Sequence, residues 1–431
     1  MTSAIAREPD TPLWVAGMLV GHWYRISGDQ PDLGLAATPL GTQYLKDHDP
    51  ADDININPAR GLKVRLRRLA GRPVNAPWSG RNGFRSITEC WNGAVLATRF
   101  GRCGSMIIFG GGHNDYFGSD VHAFDLGTRQ WARISNGYTT GRLDEYGAGV
   151  EYPESIYPDG SPLPPHTYDY VQYDSLGNDY ILFKGQSELG PDVKATPIPH
   201  IFNLDTLTWR RGPKHPAAIL NAGGWTTWDA SRRVLWGNSG DFGGGNAYLS
   251  YAPDGDNGDG TCGAWGTLYA NKCPGDANHN AMQIDPRRDI IAVLVNAQNA
   301  LYAINPAAPA APLKRLLSIG QRPRIKEFAA LEYARDLDKF VYYSGYDGAD
   351  IYSITAPTGS TWAQLTAGSW VWQRICADAN HRDPIADAQA ASAHKVHRGH
   401  TFGRFRMASF ETADVAIVVR HIDSPVYAMR L

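Results

Sequence analysis

The sequence predicts an all-β fold, a six-bladed β-propeller closed by its own N-terminal strand. Three observations predict it. A hairpin of two apolar runs recurs six times along the chain. Further strand-like runs follow each hairpin, and the outermost usually carries a tryptophan. The sixth recurrence ends one strand short, while an orphan strand stands near the N-terminus. Short alternating apolar runs bounded by Gly and Asp/Asn clusters are the mark of antiparallel strands, and a four-stranded unit recurring without helical period is the mark of a propeller blade.

Taken in order, Gly21-His22-Trp23-Tyr24-Arg25-Ile26-Ser27 matches the outer-strand pattern of Gln130-Trp131-Ala132-Arg133-Ile134-Ser135 but lacks preceding strands of its own. Residues 29–83 form a Pro/Gly-rich excursion with one expected strand, Leu62 to Leu69, and a basic cluster (Arg65, Arg67, Arg68) read as a solvated strand face. The first hairpin runs from Trp91 to Phe109 and the second joins Val171–Asp174 to Tyr180–Phe183. The next three join Trp225–Asp229 to Arg233–Trp236, Ala281–Asp285 to Ile290–Leu294, and Leu331–Tyr333 to Phe340–Tyr343. The last joins Met407–Phe410 to Val415–Val419.

Third strands are expected at Val121–Leu126, His200–Leu204, Ala247–Tyr251, Leu301–Ile304, Ile351–Ile354 and Val426–Leu431. Outer strands centre on Trp131, Trp209, Trp265 and Trp372, with a weaker one at Leu313–Leu317. The strand at Trp23 then supplies the missing outer strand of the last blade and joins the termini. Residues 1–431 form one propeller domain on this reading, and seven blades stay open if the 29–83 excursion hides another.

These features resemble the kelch-like, galactose-oxidase-like propellers. The glycines Gly110-Gly111-Gly112 after a second strand carry the resemblance, with Phe124-Asp125-Leu126…Trp131 and Phe202-Asn203-Leu204…Trp209. Gly21-His22-Trp23-Tyr24, Cys90-Trp91-Asn92-Gly93, Gly111-Gly112-His113-Asn114-Asp115-Tyr116 and His166-Thr167-Tyr168 resemble a set found together in uncharacterised propellers of bacteria and their phages. A more distant resemblance is to polysaccharide-lyase propellers. The copper ligands of galactose oxidase have no counterpart here, so that activity is not implied.

Composition narrows the function. Net charge near −2 with mixed signs argues against a nucleic-acid partner, which calls for a basic face. No apolar run is long enough to span a bilayer as a helix, so membrane insertion is not expected. The N-terminus lacks a basic start and a cleavage site, so no signal peptide is expected, and synthesis is placed in the cytoplasm. Five scattered cysteines fit reduced, buried thiols, with Cys262/Cys273 and Cys90/Cys103 as the pairs that an oxidising compartment would permit.

Propeller topology predicts the site. The start of each inner strand and the end of the next strand share one rim of the central channel. That rim collects Trp91, Asn92, His166, Tyr168, Trp225, His279 and His400 from the strand starts. From the strand ends it collects His113, Asn114, Lys184, Gln186, Asn238, Asn296, Tyr346, Arg420 and His421. Any one of these can be a cap for an unpaired backbone group. Five of 13 histidines (113, 166, 279, 400, 421) on one rim, however, is difficult to derive from local capping. His122 and His200, away from the channel, read as packing residues.

A concave mouth of aromatics, amides and imidazoles suits a sugar. Two functions follow: a polysaccharide- or glycan-binding surface, in a virion-associated setting alongside other virion proteins, or a lyase acting on uronic-acid polymers. The lyase chemistry needs a base, a cation for the carboxylate and an acid for the leaving oxygen, and His113, His166, Tyr168, Lys184 and Arg420 offer those types. A purely structural scaffold is the third reading. No cofactor is expected. Asp254, Asp256 and Asp259 have the oxygen density of a calcium loop without EF-hand spacing, and a flexible acidic turn is the preferred reading.

Overall fold

A computed structural model describes residues 9–41, 54–57, 62–64, 86–89, 91–111, 118–135, 156–157, 159–183, 198–215, 223–238, 247–269, 280–346, 348–375, 382–386 and 401–431. It is a six-bladed propeller. Strand β1 (Trp23–Arg25) stands alone in sequence, and a small hairpin, β2 (Ile54–Asn57) with β3 (Leu62–Val64), lies in the excursion before the short helix α1 (Ser86–Glu89). Blade one is β4 (Ala94–Ala97), β5 (Ser105–Ile108), β6 (His122–Asp125) and β7 (Gln130–Arg133). Blade two is β8 (Val171–Asp174), β9 (Asp179–Leu182), β10 (His200–Asn203) and β11 (Thr208–Arg211). Blade three is β12 (Thr226–Asp229), β13 (Val234–Asn238), β14 (Tyr248–Asp256) and β15 (Cys262–Trp265).

Blade four is β16 (Ala281–Asp285), β17 (Ile290–Val295), β18 (Ala300–Ile304) and β19 (Lys314–Arg315). Blade five holds β20 (Leu317–Gly320), β21 (Ala330–Ala334), β22 (Lys339–Tyr343), β23 (Ile351–Thr355) and β24 (Ser369–Arg374), with helix α2 (Trp362–Ala367) before β24. Blade six is β25 (Phe405–Phe410), β26 (Ala413–Val418) and β27 (Tyr427–Arg430), completed by β1. The six inner strands neighbour one another in order, and β25 closes on β4.

The closure predicted from sequence is present. β1 pairs antiparallel with β27, Trp23 opposite Met429 and Arg25 opposite Tyr427. The Trp23 indole donates to the Ala349 carbonyl at 2.8 Å, so the closing strand is also pinned to blade five.

Six apolar clusters fill the six interfaces between adjacent blades. Alternate residues of one strand serve different interfaces. Ile107 packs towards blade two, while Met106 and Ile108 pack towards blade six. Both faces of a second strand are therefore buried, and for that reason runs such as Ile290–Val295 read as unbroken apolar sequence.

The turns between first and second strands form a belt on the face opposite the predicted rim. Arg99 donates to the carbonyls of Ser175 and Leu176 in blade two, both at 2.8 Å. Arg233 meets Asp174 at 2.5 Å, Arg232 meets Asp289 at 2.6 Å and Arg288 meets Asp338 at 2.5 Å, each pair joining consecutive blades. Asp414 accepts from the backbone of Asp336 and Leu337 at 2.8 and 2.9 Å, linking blades five and six.

Three features differ from expectation. The weak outer strand at Leu313–Leu317 splits: β19 pairs with β18, and the chain then crosses to lie parallel to β24 as a fifth strand of blade five. Helix α2 was not anticipated, although Thr361 and Gln364 form a capping box at its start. The strand expected over Leu62 to Leu69 is seen over Leu62–Val64, and its remainder lies outside the described residues.

Candidate functional site at the channel mouth

The mouth is built where blades one and two are stitched together. Tyr168 N donates to Trp91 O at 2.6 Å, Thr167 N to Asn92 Oδ1 at 3.1 Å, and Gly93 N to Thr167 Oγ1 at 2.7 Å. The stitch needs glycine at two points. A Cβ on Gly93 would lie 2.1 Å from Tyr168 O, and one on Gly110, whose φ is +129°, would lie 2.4 Å from Asn92 Oδ1. Gly110, after β5, thus lets the end of one strand approach the start of the next inner strand. It brings the half-buried Trp91 ring to 4.5 Å from the His166 ring, and His166 to 5.9 Å from Tyr168.

Three aromatic residues just ahead of inner strands share a left-handed backbone: Tyr168 (φ +46°), Phe328 (+52°) and Phe402 (+48°). Bulky residues rarely adopt this conformation, at a cost on the order of 1–3 kcal/mol each. Their rings meet across the mouth. Tyr168 stacks towards Phe328 at 6.4 Å, and Phe402 lies 4.5 Å from Phe328. Thr401 holds Phe328 through its hydroxyl at 2.7 Å, and the Arg404 guanidinium lies 5.5 Å over the Phe402 ring.

Buried charge closes the channel below. Arg406, on inner strand β25, contacts Glu332 of β21 at 2.6 Å and Asp169, just before β8, at 2.7 Å. It also donates to Ala94 O of β4 at 2.7 Å. Burial pushes both carboxyls up, opposed by the guanidinium, while the two carboxylates hold Arg406 firmly protonated against the same burial. Arg404 is equally spent: it donates to the carbonyls of Val419, Asn92 and Arg420. Neither arginine was singled out from sequence, nor were Asp169, Glu332 and Phe402. Charged residues alternating on an innermost strand, as in Arg404-Phe405-Arg406, are the signal that points into a channel.

The predicted rim residues divide. Trp91, Asn92, His166 and Tyr168 form one connected group, joined to Arg420 through Arg404. Of these only Trp91 is more than marginally exposed. Arg420 is buried, which lowers its pKa, with Tyr343 and Asp383 as opposing influences. His421 is buried, and its Nδ1 accepts from Asp423 N at 3.0 Å within a turn.

Trp225 is 1% exposed and packs in the interface of blades three and four, so the ring expected at the mouth is spent on packing. Asn238 is buried and its backbone donates to Trp225 O, while Asn296 N donates to Asn280 Oδ1. Tyr346 is 50% exposed with Lys326 Nζ 5.5 Å over its ring. His113, Asn114, Lys184, Gln186, His279 and His400 lie outside the described residues.

The acidic loop is held by its own hydrogen bonds and a neighbouring arginine. Asp254 meets Arg233 at 2.6 Å, Asp256 accepts from Gly258 N at 2.8 Å, and Asp259 accepts from Thr261 N and Oγ1 at 2.9 and 2.6 Å. Among the described residues no cluster of His, Cys, Asp and Glu has metal-binding geometry. Cys103 and Cys262 are free thiols, and their expected partners Cys90 and Cys273 lie outside the described residues. No helix of the described residues is long and apolar enough to cross a membrane.

No protein family's sequence profile and no curated protein matches this chain. Solved structures do resemble it. One, from a nidogen/laminin complex, is 10% identical with a TM-score of 0.35, covering 66% of this chain and 86% of that one. Another, a protein of unknown function from Bacteroides thetaiotaomicron, is 8% identical with a TM-score of 0.38, covering 75% of this chain and 66% of that one. Values this low carry no argument about function.

Proposed function

We propose that the protein is a carbohydrate-binding propeller that reads a cell-surface or capsular polysaccharide at the mouth formed by blades one, two, five and six. One observation carries this reading. The partly exposed Trp91 face stands against His166 above the Tyr168–Phe328–Phe402 aromatics, beside the buried amide of Asn92. Stacking on an indole with polar groups at its edge is how a sugar ring is held. The polar plug beneath favours a ligand lying on the mouth over one threading the channel. The resemblance of the His22–Tyr24, Trp91–Gly93 and His113–Tyr116 motifs to phage propellers, within a kelch-like pattern, supports a virion- or tail-associated setting. The test is a glycan array followed by calorimetry. Trp91→Ala should weaken binding by about 1–2 kcal/mol in a protein that still unfolds cooperatively. Absence of binding to any acidic or neutral polysaccharide would remove the proposal.

A lyase at the same mouth is the second reading, favoured by the adjacency of His166 and Tyr168 as a base and acid pair. Incubation with a uronic-acid polymer should then give an unsaturated, ultraviolet-absorbing product, abolished by Tyr168→Phe. Bound but uncleaved polymer returns the protein to the binding class.

A further inference from the structure

Blade five alone, among the described residues, carries a fifth strand, and that strand is unlike the rest of the surface. Among the described residues β20 forms the outer edge of its sheet and pairs with β24 alone. Leu317 is 56% and Ile319 45% exposed, and Val371, paired with Ile319, is 41% exposed. Together they account for three of the nine large exposed hydrophobics among the described residues. Lys314 and Arg315 precede this apolar edge, and Arg322 and Arg324 follow it. All four are exposed, and among the described residues no carboxylate forms an ion pair with any of them. Elsewhere the protein habitually pairs its arginines, as Arg232, Arg233, Arg288, Arg374 and Arg406 show.

We propose that the outer edge of β20 is a docking surface for an extended acidic segment of a partner protein, which adds to blade five as a sixth strand. Edge strands offer unpaired N–H and C=O groups as a ready template, and added strands gain specificity from alternate side chains. Here Leu317 and Ile319 supply the apolar contacts, and the flanking cations call for carboxylates at both ends. The eight residues from Arg315 to Arg322 span about 23 Å if extended, matching a peptide of roughly seven to eight residues. A protective role for the cations alone does not explain the edge, because a guarded edge has no reason to leave Leu and Ile exposed at its centre. A second copy of this chain fits poorly. Antiparallel pairing of two β20 edges would set Lys314 and Arg315 of one copy against Arg322 and Arg324 of the other.

The test uses the full chain and a fluorescein-labelled peptide, Asp-Glu-Val-Thr-Val-Glu-Asp, read by fluorescence anisotropy. Saturable binding is expected, weakening as salt is raised. It should fall about tenfold with Arg322→Glu/Arg324→Glu and at least as much with Ser318→Pro, which removes an N–H from the open edge. Melting curves confirm that both variants remain folded, and the charge variant, confined to exposed side chains, serves where the proline disturbs the blade. Three outcomes overturn the proposal: no binding at millimolar peptide, equal binding of a peptide with serine in place of both valines, or a concentration-dependent dimer of the wild type that Ile319→Arg abolishes.

Discussion

Acid should destabilise this propeller through one buried histidine. His200, at the start of β10, has no exposed surface, and neither ring nitrogen has a hydrogen-bond partner among the described residues. Burial pushes its pKa down to about 3. The folded state therefore holds His200 neutral, while the unfolded chain protonates it near 6.5. Its contribution to stability is intact above about pH 6.5 and is lost progressively as the pH falls towards 3. At 1.36 kcal/mol per pH unit, moving from pH 7.5 to 5 costs about 2 kcal/mol from this residue alone. His200→Gln cannot take up the proton. Denaturant unfolding followed by tryptophan fluorescence at both pH values should show the gap between wild type and variant shift by about that amount in favour of the variant. The pH 7.5 difference between the two proteins includes packing effects and is not the test. Parallel pH dependence in the two proteins would show that the ring gains a proton acceptor or solvent on folding, and the reasoning would fail.

Two further outcomes follow from the fold. Deleting residues 1–28 removes β1 and the Trp23 indole that pins it, exposing the edge of β27, so the truncated chain should aggregate or lose cooperative unfolding on a thermal melt; a melt like that of the full chain would refute closure by this strand. Arg406→Met strands Glu332 and Asp169 beside an uncharged side chain and should cost about 3–5 kcal/mol in denaturant unfolding, with Glu332→Gln in the same chain restoring part of it; a cost below about 1 kcal/mol would mean the plug is hydrated.

The fold was legible because propeller strands bury both faces. The unbroken run Ile290–Val295 and the alternation of Val171–Asp174 follow directly from where each strand sits between its neighbours. The closing strand was legible as a shortage, three strands at the C-terminus and one to spare near Trp23. The crossing of β20 was not, because Leu317–Gly320 has the same composition whether it stays with β18 or leaves for β24. At the mouth, topology gave the height of each residue along the channel but not its radial direction. Trp225 shows the difference. The residue before it in space is Asp169, bridged to it across blades two and three, and that contact leaves the ring in the interface instead of the opening.

The same limit explains why the plug was missed, and it alters how the mouth must be understood. Read blade by blade, Tyr168, Phe328 and Phe402 are three unrelated residues ahead of three strands. Each adopts a backbone conformation that is unfavourable for its side chain. The compensation lies between blades: Trp91 O accepts from Tyr168 N, Thr401 holds Phe328, and Arg404 covers Phe402 while reaching Asn92 of blade one. Arg406 beneath them links β25 to β21, to the start of β8 and to β4. Four of the six blades thus share one rigid polar and aromatic assembly at the axis. Strain distributed across contacts of this kind persists only while the ring is closed. The shape of the mouth is therefore tied to the pairing of β1 with β27 on the far edge of blade six.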